Sequence, residues 1–163
     1  MVLLSIGPMT NLYWLLKNRP EIFKKLNKII SMGGAYEVRG NVTEFAEYNY
    51  WADSIAADYF YYNSGIIIDM IPLDITEKVF LEEKNLDDLE ILNPKIGGFI
   101  KRICKYNFSF NNTCSNKEKY YLHDPLTLGL ILDGNVMEGF KAYSRIKCLD
   151  YERGKLLVDR NIS

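Results

Sequence analysis

Residues 27–36 read NKIISMGGAY. The apolar pair Ile29-Ile30 with Ser31 predicts a short buried strand, and Gly33-Gly34 ends it, because missing side chains allow a tight turn and close backbone approach. Such a turn is a natural ligand edge. Upstream, residues 2–6 (VLLSI) form another apolar run closed by Gly7-Pro8, too short for a helix and suited to a buried parallel strand. A helix follows, with N-cap chemistry at Thr10-Asn11, an apolar face of Leu12, Trp14, Leu15 and Leu16, and a stop at Asn18-Arg19-Pro20. Pro20 suits the first turn of the next helix, where Ile22, Phe23 and Leu26 recur at helical spacing and Lys24, Lys25 and Lys28 make the solvated side. Downstream, residues 53–63 read as a third helix with Ile55, Ala56, Tyr59 and Phe60 on one face, Gly65 suits its C-terminus, and residues 66–71 make a further buried strand. This alternation predicts an α/β fold with an open, mostly parallel sheet and flanking helices, since parallel strands need crossover connections. Ligands then belong at the C-terminal ends of the strands.

The rest of the chain continues the pattern less regularly. Residues 77–110 read as mainly helical, interrupted at Asn93-Pro94 and softened by Gly97-Gly98; residues 111–119 are polar enough for a loop. Residues 126–132 continue helically after Pro125, and residues 140–148 and 156–158 are candidate late strands. No repeat or linker divides the sequence, so residues 1–163 are expected to form a single α/β domain. A hydrophobic share of 48% is enough for a core, and a net charge of −1 with interspersed signs leaves no basic stripe for nucleic acid. No apolar run reaches the ~18 residues that span a bilayer, and the start lacks a signal-peptide pattern, so the chain is expected to be cytoplasmic. Cys104, Cys114 and Cys148 match no zinc spacing and read as reduced thiols. The sequence opens directly on a core strand without edge protection, which suggests a fragment.

Three places could carry chemistry. His123, the sole histidine, precedes Asp124-Pro125 at a loop-to-helix junction, where an imidazole can donate a proton and the carboxylate can bind a cation or hydroxyl groups. The plain alternative is a partly exposed histidine beside a helix-capping aspartate. Residues 40–49, GNVTEFAEYN, gather Asn41, Glu44, Glu47 and Asn49, side chains that can hold several sugar hydroxyls at fixed angles. They also fit an ordinary surface loop with turn-favouring asparagines. Ile6-Gly7-Pro8 is common punctuation, but a strand-end carbonyl without a ladder partner is a good ligand for a hard cation.

In order, LLSIGPMTN, SMGGAY, GNVTEFAEYN, LHDPL and RGKLLVDR resemble the inosine-uridine preferring nucleoside hydrolase family over nearly the whole chain. The resemblance implies a nucleoside hydrolase-like, Rossmann-like core and hydrolysis of the N-glycosidic bond of ribonucleosides. It implies a calcium ion at the bottom of the site that holds the ribose diol and the attacking water. The Ile6 carbonyl and the Asp124 carboxylate would be calcium ligands. Asn41, Glu47, Asn49 and the Met32 backbone would contact ribose, and His123 would protonate the departing base. A histidine here, where other members carry tryptophan, points to the broader or pyrimidine-accepting type. Tyr106, Phe110 and Tyr121 are candidates to stack on the base, with ordinary core packing as the alternative. The family's N-terminal DxDPGxDD segment is absent, so the chain looks like the C-terminal part, truncated at the N-terminus, with an incomplete calcium site. That implies either weak activity or a remnant that keeps the fold or ribose binding. A homo-oligomer or a complementary N-terminal chain is the expected partner, besides the nucleoside.

Overall fold

Apolar runs bounded by glycine, proline or polar residues become the sheet. The computed structural model describes residues 1–111 and 119–161, with residues 106–111 described by backbone. Strands β1 (Val2–Ser5), β2 (Lys28–Met32) and β3 (Ile68–Ile71) form a parallel three-stranded sheet in that order. Leu4 pairs with Ile30 and Ile30 with Asp69, so all three strands end at one edge. Lys28, expected on a solvated helix face, instead begins β2 and pairs with Asp69 of β3 at 2.5 Å.

The chain divides into two compact units, residues 1–75 with 123–163 and residues 76–122. In the first, helix α1 (Thr10–Asn18) and a 3₁₀ helix (Pro20–Lys25, with Pro20 at its start) lead from β1 to β2. Helices α2 (Tyr48–Ala52) and α3 (Ser54–Asn63) lead to β3, and α4 (Leu73–Thr76) follows it. Helix α7 (His123–Leu132) packs against β2, and β6 (Tyr143–Ile146) pairs antiparallel with β7 (Leu156–Asp159). Met9, Leu16, Phe23, Ile29, Tyr50, Phe60, Ile146 and Leu156 form its core.

Several local expectations give way to tertiary packing. Thr10-Asn11 does not cap α1: Met9 is the N-cap, and the Thr10 hydroxyl donates to Asp53 at 2.5 Å. Asp53 in turn accepts from the Ala56 N–H and caps α3. Trp14 and Ile55 are 57% and 58% exposed, so the buried faces of α1 and α3 are narrower than the apolar pattern suggests.

The second unit pairs β4 (Phe80–Leu81) with β5 (Tyr120–Tyr121) and joins α5 (Glu83–Leu92) to α6 (Pro94–Asn111). Gly97 does not soften the helix. A Cβ there would lie 2.0 Å from the Leu89 carbonyl, so the glycine lets the two helices touch. Lys101 holds the pair by bridging Asp87 and Glu90 at 2.7 and 2.5 Å. Among the described residues, no helix is long and apolar enough to cross a membrane.

Candidate active site

The site is built at the C-terminal end of β2, where the chain turns through Gly33-Gly34. Gly33 donates its N–H to the Ile71 carbonyl at 3.2 Å, and Leu73 donates to the Gly34 carbonyl at 2.9 Å, which ties the turn to β3 and α4. Gly34 has φ +87°, in the left-handed region where a side chain is strained. Asp74 then accepts from the Tyr36 and Glu37 N–H groups at 2.9 and 2.7 Å and fixes the chain leaving the turn.

Residues 40–46 fold back tightly before α2. Thr43 accepts from the Phe45 and Ala46 N–H groups, and a Cβ on Gly40 would lie 2.1 Å from the Ala46 carbonyl. Asn41 is exposed and its amide oxygen accepts from the Tyr48 N–H at 2.9 Å, so it helps start α2.

Glu47 is the N-cap of α2 and is only 2% exposed. Its carboxylate accepts from the Asn49 N–H (2.8 Å), the Gly34 N–H (3.0 Å) and the Tyr50 N–H (3.3 Å). Asn49, 6% exposed, donates through its amide to the Met32 carbonyl at 3.2 Å and to the Met32 sulfur at 3.4 Å. Met32, Glu47 and Asn49 are thus one hydrogen-bonded group around the strand end.

Asp124 of α7 lies near enough for its charge to act on Glu47. It lies in that helix's first turn, where its backbone carbonyl accepts from the buried Thr127 hydroxyl at 2.6 Å. Burial pushes the Glu47 carboxyl up; its three N–H donors oppose that, and the charge of Asp124 adds to it. Burial likewise pushes Asp124 up, with the neighbouring His123 opposing it. Two desolvated carboxylates close enough to repel make a place that gains from arriving positive charge.

Ile6 lies one residue past β1, on the same strand-end edge, half-exposed. Tyr121 belongs to the second unit, its ring edge-on to Phe80 at 6.1 Å. The side chains of Tyr106 and Phe110 lie outside the described residues, as does Cys114. Cys104 and Cys148 are free thiols. Sequence reasoning missed Tyr50, whose ring supports the glycine turn; one tyrosine among twelve carries no signal of that contact.

Calcium takes ~6 to 8 oxygen ligands. Among the described residues no group of three or more His, Cys, Asp or Glu side chains converges as a metal cluster, and both Glu47 oxygens are already occupied by N–H donors. The Asp124 carboxylate and the Ile6 carbonyl leave most of such a shell unfilled, so the residues present do not by themselves make a calcium site.

The fold is that of the nucleoside hydrolases. The chain superposes on a plant nucleoside hydrolase, PpNRh1, with a TM-score of 0.91 and 29% identity, over 98% of this chain and 50% of that one. A purine-preferring ribonucleoside hydrolase from Gardnerella vaginalis matches with a TM-score of 0.86 and 32% identity, over 97% and 50%. In sequence, probable uridine nucleosidase 1 of Oryza sativa subsp. japonica is 27% identical over 160 residues, 98% of this chain and 49% of that protein. The pyrimidine-specific ribonucleoside hydrolase RihA of Salmonella typhi is 28% identical, over 96% of this chain and 50% of that protein. The profile of the inosine-uridine preferring nucleoside hydrolases matches residues 1–163, and the chain belongs to that family. It spans about half the length of these relatives.

Proposed function

We propose that this chain forms the ribose-holding and leaving-group half of an enzyme that hydrolyses the N-glycosidic bond of ribonucleosides. The observation that carries the reading is the buried Glu47 carboxylate, hydrogen-bonded with Asn49 around the C-terminal end of β2, with the partly buried Asp124 near enough for its charge to act on it. As the glycosidic bond breaks, the sugar becomes oxocarbenium-like and positive while the base becomes negative. Desolvated carboxylates beside the sugar favour that charge in a medium where electrostatics are strong. Glu47, Asn49, Asn41 and the Met32 backbone bind the ribose hydroxyls. His123, at the start of α7 beside Asp124, donates the proton that the departing base needs. The relatives named as uridine nucleosidase, pyrimidine-specific hydrolase and purine-preferring hydrolase support a ribonucleoside as substrate, with His123 favouring the broader or pyrimidine-accepting type.

Asp124 and the Ile6 carbonyl are calcium ligands in the assembled enzyme, and the remaining ligands come from residues outside this sequence. A complementary N-terminal polypeptide, or failing that a second copy, supplies them along β1. That strand is at the sheet edge and leaves Val2 exposed at its start and Ile6 just past its end. The free thiols of Cys104 and Cys148 fit a cytoplasmic setting.

The test is release of free base from uridine, cytidine and inosine with added calcium, by this chain alone and with an N-terminal half supplied. His123→Ala is expected to lower the rate by about 10² to 10⁴ on natural nucleosides, with less effect on substrates carrying activated leaving groups. An equal rate on uridine would remove His123 from the acid role. Half the relatives' length and the incomplete donor set also favour a second reading, a remnant that keeps ribose binding without turnover. Ribose binding with no base release under any of these conditions would select it.

A further inference from the structure

We infer that Tyr50, braced through its hydroxyl by Tyr61, is a positioning residue that sets the Gly33-Gly34 turn and thereby the Gly34 N–H on Glu47. The ribose-binding role of Glu47 proposed above is the only functional premise.

The turn rests directly on the Tyr50 ring. A Cβ on Gly33 would lie 2.4 Å from Tyr50 Cε1, and one on Gly34 would lie 2.8 Å from Tyr50 Cε2, so both glycines pass across the same ring. The ring is fully buried, and Tyr50 is held both at its backbone and at its hydroxyl. At one end the Tyr50 N–H donates to Glu47 Oε2, the same oxygen that accepts from Gly34. At the other, the Tyr50 hydroxyl donates to the Tyr61 hydroxyl on α3 at 2.5 Å, with the two rings edge to face at 5.7 Å. Turn, carboxylate and ring therefore close a loop, and α3 holds the ring in it.

Filling space does not require the hydroxyls. A phenylalanine would occupy nearly the same volume without placing a polar group in the core, where an unpaired hydroxyl costs stability. Yet three hydroxyls gather under the turn. Ser31 of β2 is completely buried beside the two phenols, near enough to act on both, and its oxygen is, among the described residues, the one buried side-chain polar atom without a partner at full hydrogen-bond geometry. Burial holds both phenols protonated, Tyr61 being pushed up to about 12, and the nearby Glu47 charge acts in the same direction. They remain neutral donors at any working pH, which suits a fixed brace and not a proton carrier.

The test uses Tyr50→Phe, Tyr61→Phe and the double variant, with Phe23→Leu as a reference that loosens the same core where Phe23 packs edge-on to Phe60 and leaves both phenol hydroxyls in place. Backbone amide exchange at Gly34 and ribose affinity are read together with global stability. Each Tyr→Phe change is expected to speed Gly34 exchange about tenfold, the size of one buried hydrogen bond, and to weaken ribose binding by a similar factor. The double variant is expected to be no worse than either single one, because both remove the same bond. Phe23→Leu leaves Gly34 exchange and ribose affinity unchanged relative to its loss of stability. Gly34 exchange that follows global stability equally in all variants, or additive effects of the two tyrosines, would overturn the brace. Faster exchange with unchanged ribose affinity would overturn its functional part. Asn49→Ala separates the two failures: if it leaves ribose affinity intact the ribose-site reading fails, while the exchange measurement still decides the brace.

Discussion

Glu47 gathers three backbone N–H groups into a nearly dry pocket, which explains why a charged residue is found there and also what it costs. Burial raises its carboxyl above the ordinary value of 4.5, with the Asp124 charge adding. A group with a raised folded pKa binds its proton more tightly when folded, so the fold loses stability as pH rises from about 4.5 through the folded value. Asp124, raised by the same cause, pushes in the same direction. Urea midpoints followed across this range are expected to fall with rising pH, and Glu47→Gln is expected to flatten the slope; an unchanged slope would mean another group titrates. Gly34→Ala tests the turn itself. With φ +87° and the Tyr50 ring 2.8 Å from the new Cβ, it is expected to lower stability by about 2 kcal/mol or more in thermal unfolding. Glu47 and Asn49 were legible in the sequence because amide and carboxylate side chains crowd one short stretch after a double glycine. Tyr50 was not, since its role depends on a ring passing under a turn more than a dozen residues earlier, which no local pattern encodes.

Elements were legible in proportion to their length and to the strength of their boundaries. The strand before Gly33-Gly34 came within a residue of its observed limits at both ends, because an apolar run with glycine after it leaves few alternatives. Helix α2, five residues long, has no room for a periodic pattern, and β4 and β5, two residues each, exist only through each other. The antiparallel pair of β6 and β7 was visible as two apolar runs, but not where it attaches. That attachment is made by Asp58 of α3, which accepts from Arg145 through both of its oxygens at 2.7 Å and from the Ile146 N–H at 2.8 Å. Burial pushes Asp58 up, but the Arg145 and Ile146 donors outweigh it and hold the carboxyl below its usual value. The bond is therefore present above about 3.8 and is lost as pH falls through the lower folded value. Asp58→Asn is expected to destabilise the first unit by about 1 to 3 kcal/mol in urea unfolding, since it leaves the guanidinium and one donor without a matched acceptor. A change below a few tenths would show that the hairpin is held by packing of Ile146 and Leu156 alone.

On the scale of the whole molecule, the chain brings the proposed ribose-holding residues and one candidate carboxylate ligand to a strand edge, but not a full cation shell. The buried Glu47 and the partly buried Asp124, whose charges repel, would be relieved by a cation, yet the oxygens beside them are too few to replace its water. Calcium is therefore expected to bind the isolated chain with a dissociation constant of about 1 mM or weaker. At about 1 mM calcium the resulting stabilisation is then at most ~0.4 kcal/mol, a shift at the limit of a thermal melt. Completing the shell changes the arithmetic. With the missing ligands supplied by a chain paired along β1, an ion present at about a hundred times its dissociation constant adds ~2.7 kcal/mol. The gain should depend on the concentration of the added chain and disappear in Asp124→Ala. If a second copy completes the shell, calcium affinity should instead rise with the concentration of this chain alone, together with dimer seen by size-exclusion chromatography. Micromolar calcium binding by a strictly monomeric chain would show that the residues here already form a complete site, and would remove the need for any partner at the β1 edge.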